Sequence, residues 1–419
     1  MEGRDRFRTL WEELLPVGRA EGGGYARHGF TDADLACRQW FTAQAAARGL
    51  SVETDGNGNL WAWWGDPAAG DALVTGSHLD SVPHGGAYDG PLGVVSAFLA
   101  LDLLREQGFE PSRPIGVAAF CEEEGTRFGV ACLGSRLLTG ALDAERGAAL
   151  TDPAGTTLVD AMSAAGADPA GLGADPVRLS RIGHYVELHI EQGRGLADLD
   201  APVGVGTAIW PHGRWRFDFT GEANHAGTTL MADRHDPMLS YAMIALAANK
   251  QARLRDARAT FGRIRVEPNG TNAIPSRVTA WLDARAADQS TLDAMLSDVE
   301  RQARDRVTRD GTGLTVTAES VSGIVEFDRA LADRLARRLG AGGAGSGSSS
   351  GSVDGGAPVP TLPTGAGHDA GILAAAGIPT AMVFVRNPTG VSHSPAETTS
   401  DADCVAGVAA LADVLRELA

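Results

Sequence analysis

The chain has 419 residues, more than one hydrophobic core usually supports, so two domains are expected. Its 36 basic against 53 acidic residues give a net charge of −17, which excludes the basic footprint that nucleic acid or an anionic membrane surface needs. The first residues, MEGRDRFRTLWEELL, lack the apolar stretch of a signal peptide, and no segment approaches the roughly 18 apolar residues of a membrane span. Four cysteines in so long a chain do not make a disulfide framework, and free, mostly buried thiols in a reducing cytoplasm are expected.

Thr31 and Asp34 suit the start of a helix over 32–48, with Gly49 beyond its last turn. Leu73–Thr75 reads as a buried strand. Helical periodicity follows over Val94–Gln107, and Ile115–Cys121 and Tyr185–Ile190 read as further buried strands. Apolar strands alternating with helices predict an α/β sheet covered on both faces. From Arg214 the pattern changes. Trp215, Phe217 and Phe219 alternate with polar residues, as in a half-exposed strand needing a partner surface, which an isologous dimer would supply. Asp236-Pro237 starts a helix to about Arg255. Strands are marked by Ile264 and Val266, by Val278, Ala280 and Leu282, and by Leu314 and Val316. Between the last two, Ser290 is the expected cap of a second helix carrying Leu292, Met295, Leu296 and Val299 on one face. The order β-α-β-β-α-β is that of a ferredoxin-like unit inserted into the first domain. The expected boundaries are 1–212 and 322–419 for a discontinuous catalytic domain, and 213–321 for the insert. Gly340–Gly356 is almost all Gly, Ser and Ala and reads as a flexible loop.

Residues with ligand chemistry cluster in His78-Leu79-Asp80, Tyr88-Asp89-Gly90, Glu122-Glu123-Glu124-Gly125, His189-Ile190-Glu191-Gln192-Gly193 and Val391-Ser392-His393. Three of these segments sit at or just after predicted strand ends, which in an open α/β sheet lie along one ligand-binding edge. Imidazoles and carboxylates on that edge suit two divalent first-row metals sharing a carboxylate.

In GSHLDSVPHGGAYDGPLG, EEEGTRFG, HIEQG, GEANHAGTT, NAIPSRV, GAGHDAG and SHSPAE, taken in order, the chain resembles the metal-dependent amidohydrolases of the carboxypeptidase G and aminoacylase superfamily. Within it, the similarity is to the branch holding allantoate amidohydrolase, N-carbamoyl-L-amino-acid hydrolase and β-ureidopropionase. The resemblance implies a di-metal aminopeptidase-like catalytic domain and a lid and dimerisation domain. It implies two divalent ions per subunit, zinc or manganese, with cobalt or nickel also suitable. Asp89 would bridge them, with His78 and His189 on one and Glu124 and His393 on the other. Glu123 would be the general base acting on a bridging water, and Asp80 would orient His78 through its other ring nitrogen. His225 would cross a dimer interface to stabilise the oxyanion. Asn272 and Arg285 would bind the substrate carboxylate, Gln192 the ureido group, and Gly367 and His368 would line the pocket.

The implied reaction removes a carbamoyl group from a small carboxylate. Allantoate, giving ureidoglycine, carbon dioxide and ammonia, is the first substrate expected, on overall similarity in NGNLWAWWGDP and AIWPHGRWRF. An N-carbamoyl-L-amino acid is the second. An aminoacylase or dipeptidase is disfavoured because peptidase relatives tend to carry a carboxylate at the position of His189. A catalytically dead binding protein would have lost a ligand or the base, and all are present here.

Overall fold

The computed structural model describes residues 2–342 and 357–419, and the chain forms two compact units, Met1–Ala208 with Glu326–Ala419, and Ile209–Val325. The first unit is built on a mixed sheet. Four central strands, Ile115–Phe120, Ala72–His78, Ile182–Ile190 and Thr380–Val385, lie side by side in that order and run parallel. Ala72–His78, Ile115–Phe120 and Thr380–Val385 are buried at every residue, as parallel strands covered by helices on both faces must be. Leu60–Trp64 and Val203–Ile209 flank the four as antiparallel neighbours. The helix Pro91–Glu106 packs on the sheet with its first eleven residues all buried, from Pro91 to Leu101.

Two predicted strands are longer than the apolar pattern suggested. The strand around Leu73–Thr75 runs on to His78, so His78 is its last residue, opposite Phe120. The strand expected over Tyr185–Ile190 begins three residues earlier, at Ile182, and ends where expected. The polar end of the first strand escapes a reading based on apolar runs, because a ligand-binding edge is where the sheet stops being apolar.

The second unit has the predicted β-α-β-β-α-β order. Its sheet runs Gly313–Ser322, His212–Thr220, Arg277–Arg285, Arg258–Glu267, every pair antiparallel, which is the ferredoxin-like arrangement. Trp215, Phe217 and Phe219 are buried, as is the helix face Leu292, Met295 and Val299. The expectation that the Trp215–Phe219 face needs an outside partner is therefore corrected: helices Pro237–Leu254 and Gln289–Asp310 of the same unit help build the core that covers it. The cap of Gln289–Asp310 is also corrected. Asp288 accepts the Thr291 amide, and Ser290 donates its hydroxyl to Asp288. A carboxylate reaches the free amides of a first turn and carries the charge the helix dipole favours.

Gly340, Ala341 and Gly342 belong to the helix Arg329–Gly342, not to a loop, and glycine is needed at 340 because a Cβ there would fall 2.1 Å from the Ala357 carbonyl. The rest of the Gly/Ser/Ala stretch, 343–356, lies outside the described residues. No helix among the described residues is long and apolar enough to cross a membrane.

Candidate metal centre

The carboxyl ends of the four parallel strands bring the clustered motifs together. His78 closes its strand, Glu122–Glu124 follow the strand ending at Phe120, His189 is the penultimate residue of its strand, and His393 follows the strand ending at Val385. Asp89 stands just ahead of the helix Pro91–Glu106.

Asp89 lies at the middle. Its Oδ1 is 3.2 Å from His189 Nε2 and 3.6 Å from His78 Nε2, and its Oδ2 is 3.3 Å from His393 Nε2. Glu124 Oε2 is 3.5 Å from that same His393 nitrogen. Two ligand triads, His78–Asp89–His189 and Asp89–Glu124–His393, thus share Asp89, each with its ligand atoms within 4.8 Å of one another.

The side chains fit divalent cations. His189 Nδ1 lies 2.8 Å from the Ile190 carbonyl and His78 Nδ1 3.2 Å from the Asp80 carbonyl. Each carbonyl calls for the ring proton on Nδ1, so each Nε2 presents a lone pair toward a carboxylate. His78 Nε2, His189 Nε2 and Glu124 Oε1 are buried with no hydrogen-bond partner. Lone pairs converging on lone pairs are what a cation resolves.

Where no cation joins them, these nitrogens and oxygens must share protons instead, and their shifts record that competition. Burial raises Glu124 to about 7, helped by repulsion from Asp89. Burial raises Glu123 well above the ordinary range; His78 opposes this, while Asp369, Glu124 and Asp80 add to it. Burial also works against charge on Asp89, but the imidazoles of His189, His393 and His78 outweigh it and hold the carboxyl well below its ordinary value. His393 is raised to about 9, first by Asp89.

The surrounding residues sort by what they touch. Glu123 Oε2 is 3.8 Å from His78 Nε2, whereas the Glu122 carboxylate is spent on the amides of Gly29, Arg127 and Phe128. Asp80 faces His78 Nδ1, the ring nitrogen expected, with Oδ1 3.5 Å away, and its two oxygens also accept the amides of Glu123 and Glu124 at 3.1 and 3.0 Å. It fixes the glutamate loop, and its backbone carbonyl is what lies nearer to His78. Gln192 donates its amide to Asp89 Oδ2 at 2.8 Å, which leaves Oε1 as a buried acceptor with no hydrogen-bond partner. His368 is buried with its ring 4.5 Å from that of His189, and Gly367 beside it is exposed.

Sequence reasoning missed two braces of Asp89. Glu397 accepts the amides of Tyr88 and Asp89 at 2.9 and 3.1 Å, and Ser392 lies 3.2 Å from Asp89 Oδ2. Both stand in the SHSPAE segment, but neither has a spacing that marks it.

In the second unit, His225 Nδ1 accepts the amides of Gly227 and Thr228 at 3.0 and 3.2 Å. The neutral ring therefore carries its proton on Nε2, as a hydrogen-bond donor. Asn272 is its neighbour, since the Ala226 amide donates to the Asn272 carbonyl at 2.9 Å. Arg285 is not. His225 and Asn272 adjoin the end of the sheet where Arg277 faces Thr220, and Arg285 faces His212 at the other end. Eight residue steps separate the ends, about 27 Å at about 3.4 Å per residue. Arg285 donates to both oxygens of Asp283, at 2.8 and 3.0 Å.

Residues 74–417 match the model of peptidase family M20/M25/M40. The chain belongs to this family. As an M20 family member it is a hydrolase. It is 35% identical over 418 residues to an N-carbamoyl-L-amino acid amidohydrolase of Geobacillus stearothermophilus, covering 98% of each chain. It is 32% identical over 429 residues to an allantoate amidohydrolase of Escherichia coli, covering 99% of this chain and 98% of that one. A solved amidase of the hydantoinase/carbamoylase family from Burkholderia vietnamiensis superposes with a TM-score of 0.86 at 29% identity, over 99% of this chain and 97% of the other. M20 enzymes use divalent metal ions, in keeping with the two triads around Asp89.

Proposed function

We propose that this M20 hydrolase removes a carbamoyl group from a small ureido carboxylate. The observation that carries the reading is Gln192 Oε1, a buried acceptor without a partner on a side chain tied to Asp89, which a ureido N–H would satisfy. His78, Asp89 and His189 would hold one divalent ion, and Asp89, Glu124 and His393 a second, with zinc or manganese, or cobalt or nickel, suited to the donors. Such ions supply a water of lowered pKa and polarise the carbonyl oxygen. Glu123 Oε2 takes the proton from the attacking water and passes it to the leaving nitrogen. Asp80 holds the backbone of Glu123 while it does so. His225 Nε2–H donates to the developing oxyanion. The planar fork of Arg285 suits the substrate carboxylate, with Asn272 as a further polar partner, and His368 and Gly367 line the pocket.

The second unit serves as lid and dimerisation domain in this reading. Arg285 lies at the end of the four-stranded sheet opposite the one that His225 and Asn272 adjoin, and this separation supports sites completed by a second copy. A contact surface for that copy is at hand. Leu239, Met243, Leu246 and Leu254 form an exposed apolar stripe on the helix Pro237–Leu254, and Arg258–Glu267 is an edge strand. The four buried free cysteines suit a reducing cytoplasm.

Allantoate is the first substrate proposed, because its second ureido arm matches a polar surround of Gln192, Ser392 and His368. The 35% identical carbamoyl-amino-acid relative favours N-carbamoyl-L-amino acids as the second reading. Ammonia release from allantoate, from several N-carbamoyl-L-amino acids and from N-acetyl-amino acids (the last by free amine), with manganese or zinc added, tests both. Turnover of the N-acetyl compounds alone would overturn the carbamoyl reading.

A further inference from the structure

We infer that Cys132 is a positioning residue for Glu123, holding one oxygen of its carboxylate so that the other faces the histidine cluster. The inference rests on the reading of Glu123 as the base. Cys132 Sγ donates to Glu123 Oε1 at 3.3 Å, and both residues are buried. Glu123 Oε2 is the oxygen turned toward His78.

The backbone arranges this contact. Cys132 precedes the helix Leu133–Thr139 with φ 53° and ψ 41°, a left-handed conformation uncommon for a residue with a side chain. Its amide donates to the Glu123 carbonyl, and the next two amides donate to the carbonyls of Glu122 and Cys121. The start of the helix is thereby clasped antiparallel to the glutamate segment, and the left-handed turn puts the thiol beside the base. Asp80 holds Glu123 from the other side, through its amide.

A thiol has a use here that an alkyl group lacks. The last torsion of a glutamate is broad and two-fold, so an unanchored carboxylate exchanges its oxygens freely. One donor breaks that symmetry and fixes which oxygen receives the proton. S–H is a weak donor, so it can direct the carboxylate while taking little of its basicity. Burial raises the Cys132 thiol well above its ordinary value, which keeps the proton on sulfur as the contact requires.

The test compares Cys132→Ala, Cys132→Gly and Cys132→Ser with the native metal-loaded enzyme, on the best substrate of the ammonia-release screen. Glycine suits the left-handed backbone and guards against a folding defect in the alanine variant. Alanine and glycine should lower kcat about two- to fivefold, the lower part of the range for one hydrogen bond because the donor is weak, with KM and metal content unchanged. Serine, which keeps a donor, should restore most of kcat. The infrared S–H stretch gives a reading independent of turnover: the native enzyme should show one lowered band that disappears in all three variants and moves up in Glu123→Gln. Native kcat in both donor-free variants, or an S–H band indifferent to Glu123→Gln, overturns the inference. If Glu123→Gln is crippled while those variants are unaffected, only the role of Cys132 falls; if Glu123→Gln is itself fully active, the base reading falls with it.

Discussion

Gly90 and His78 are packed so closely that a methyl group on Gly90 would lie 2.4 Å from the His78 ring. Gly90 also has φ 85°, where a side chain strains the backbone. The residue after the shared carboxylate therefore has to be glycine for His78 to point at it. Gly90→Ala should displace the His78 ring and lower bound metal, read by atomic emission on the purified protein, together with activity. A variant with native metal content and turnover would show that the ring has room the structure does not give it.

Removing metal should abolish activity, and manganese, cobalt or zinc should restore it. Asp89→Asn should lose more bound metal than His393→Ala, because Asp89 belongs to both triads and His393 to one. Equal losses in the two variants would contradict a shared carboxylate.

Glu123→Gln keeps the shape of the base and removes its proton acceptor. Turnover should fall by at least about 100-fold, the usual size of a general-base effect, with metal content retained. Near-native turnover in the metal-loaded variant would move the role to another group, although Glu122 is already committed to three backbone amides.

Mixing inactive Glu123→Gln with inactive His225→Ala should recover activity once subunits exchange. One site of the mixed dimer then joins an intact Glu123 to the partner's intact oxyanion donor. Absence of recovery, with exchange confirmed by native mass spectrometry, would place His225 in its own subunit's site or outside catalysis.

Two variants separate carboxylate binding from fold, and the ratio of the two substrates in the native enzyme tests substrate choice. Arg285→Ala should weaken allantoate and N-carbamoyl-amino acids together, since both carry the carboxylate. Asp55→Ala should leave their ratio untouched. Asp55 accepts the amides of Asn57 and Asn59, the Asn59 side chain and the Trp61 indole, so its loss should cost stability, about 3 kcal/mol by chemical denaturation. The segment NGNLWAWW is buried at every residue from Asn57 to Trp63, so its side chains are committed to the core. Allantoate should exceed N-carbamoyl-leucine by roughly 100-fold in kcat/KM, because an apolar arm cannot pair with the polar groups proposed to meet the second ureido arm. The reverse order would replace allantoate by the carbamoyl-amino acid.

Local chemistry made much of this protein legible in its sequence. Alternation at Trp215, Phe217 and Phe219 and the helical face through Leu292, Met295 and Val299 announce the ferredoxin-like unit, because period and burial are properties of neighbouring residues. His78, Asp89, Glu124, His189 and His393 stand out by residue type and place at strand ends. Tertiary structure alone decided which atoms meet. It set Asp89 with one oxygen toward His189 and the other toward His393, turned Asp80 to the glutamate amides, tied Gln192 to Asp89, brought the Cys132 thiol to Glu123, and put Arg285 far along the sheet from His225. These meetings depend on strand register between distant segments, such as His78 opposite Phe120 and Gly76 opposite Glu187. A shift of one residue there would turn every side chain to the other face of the sheet, and no short-range pattern records it.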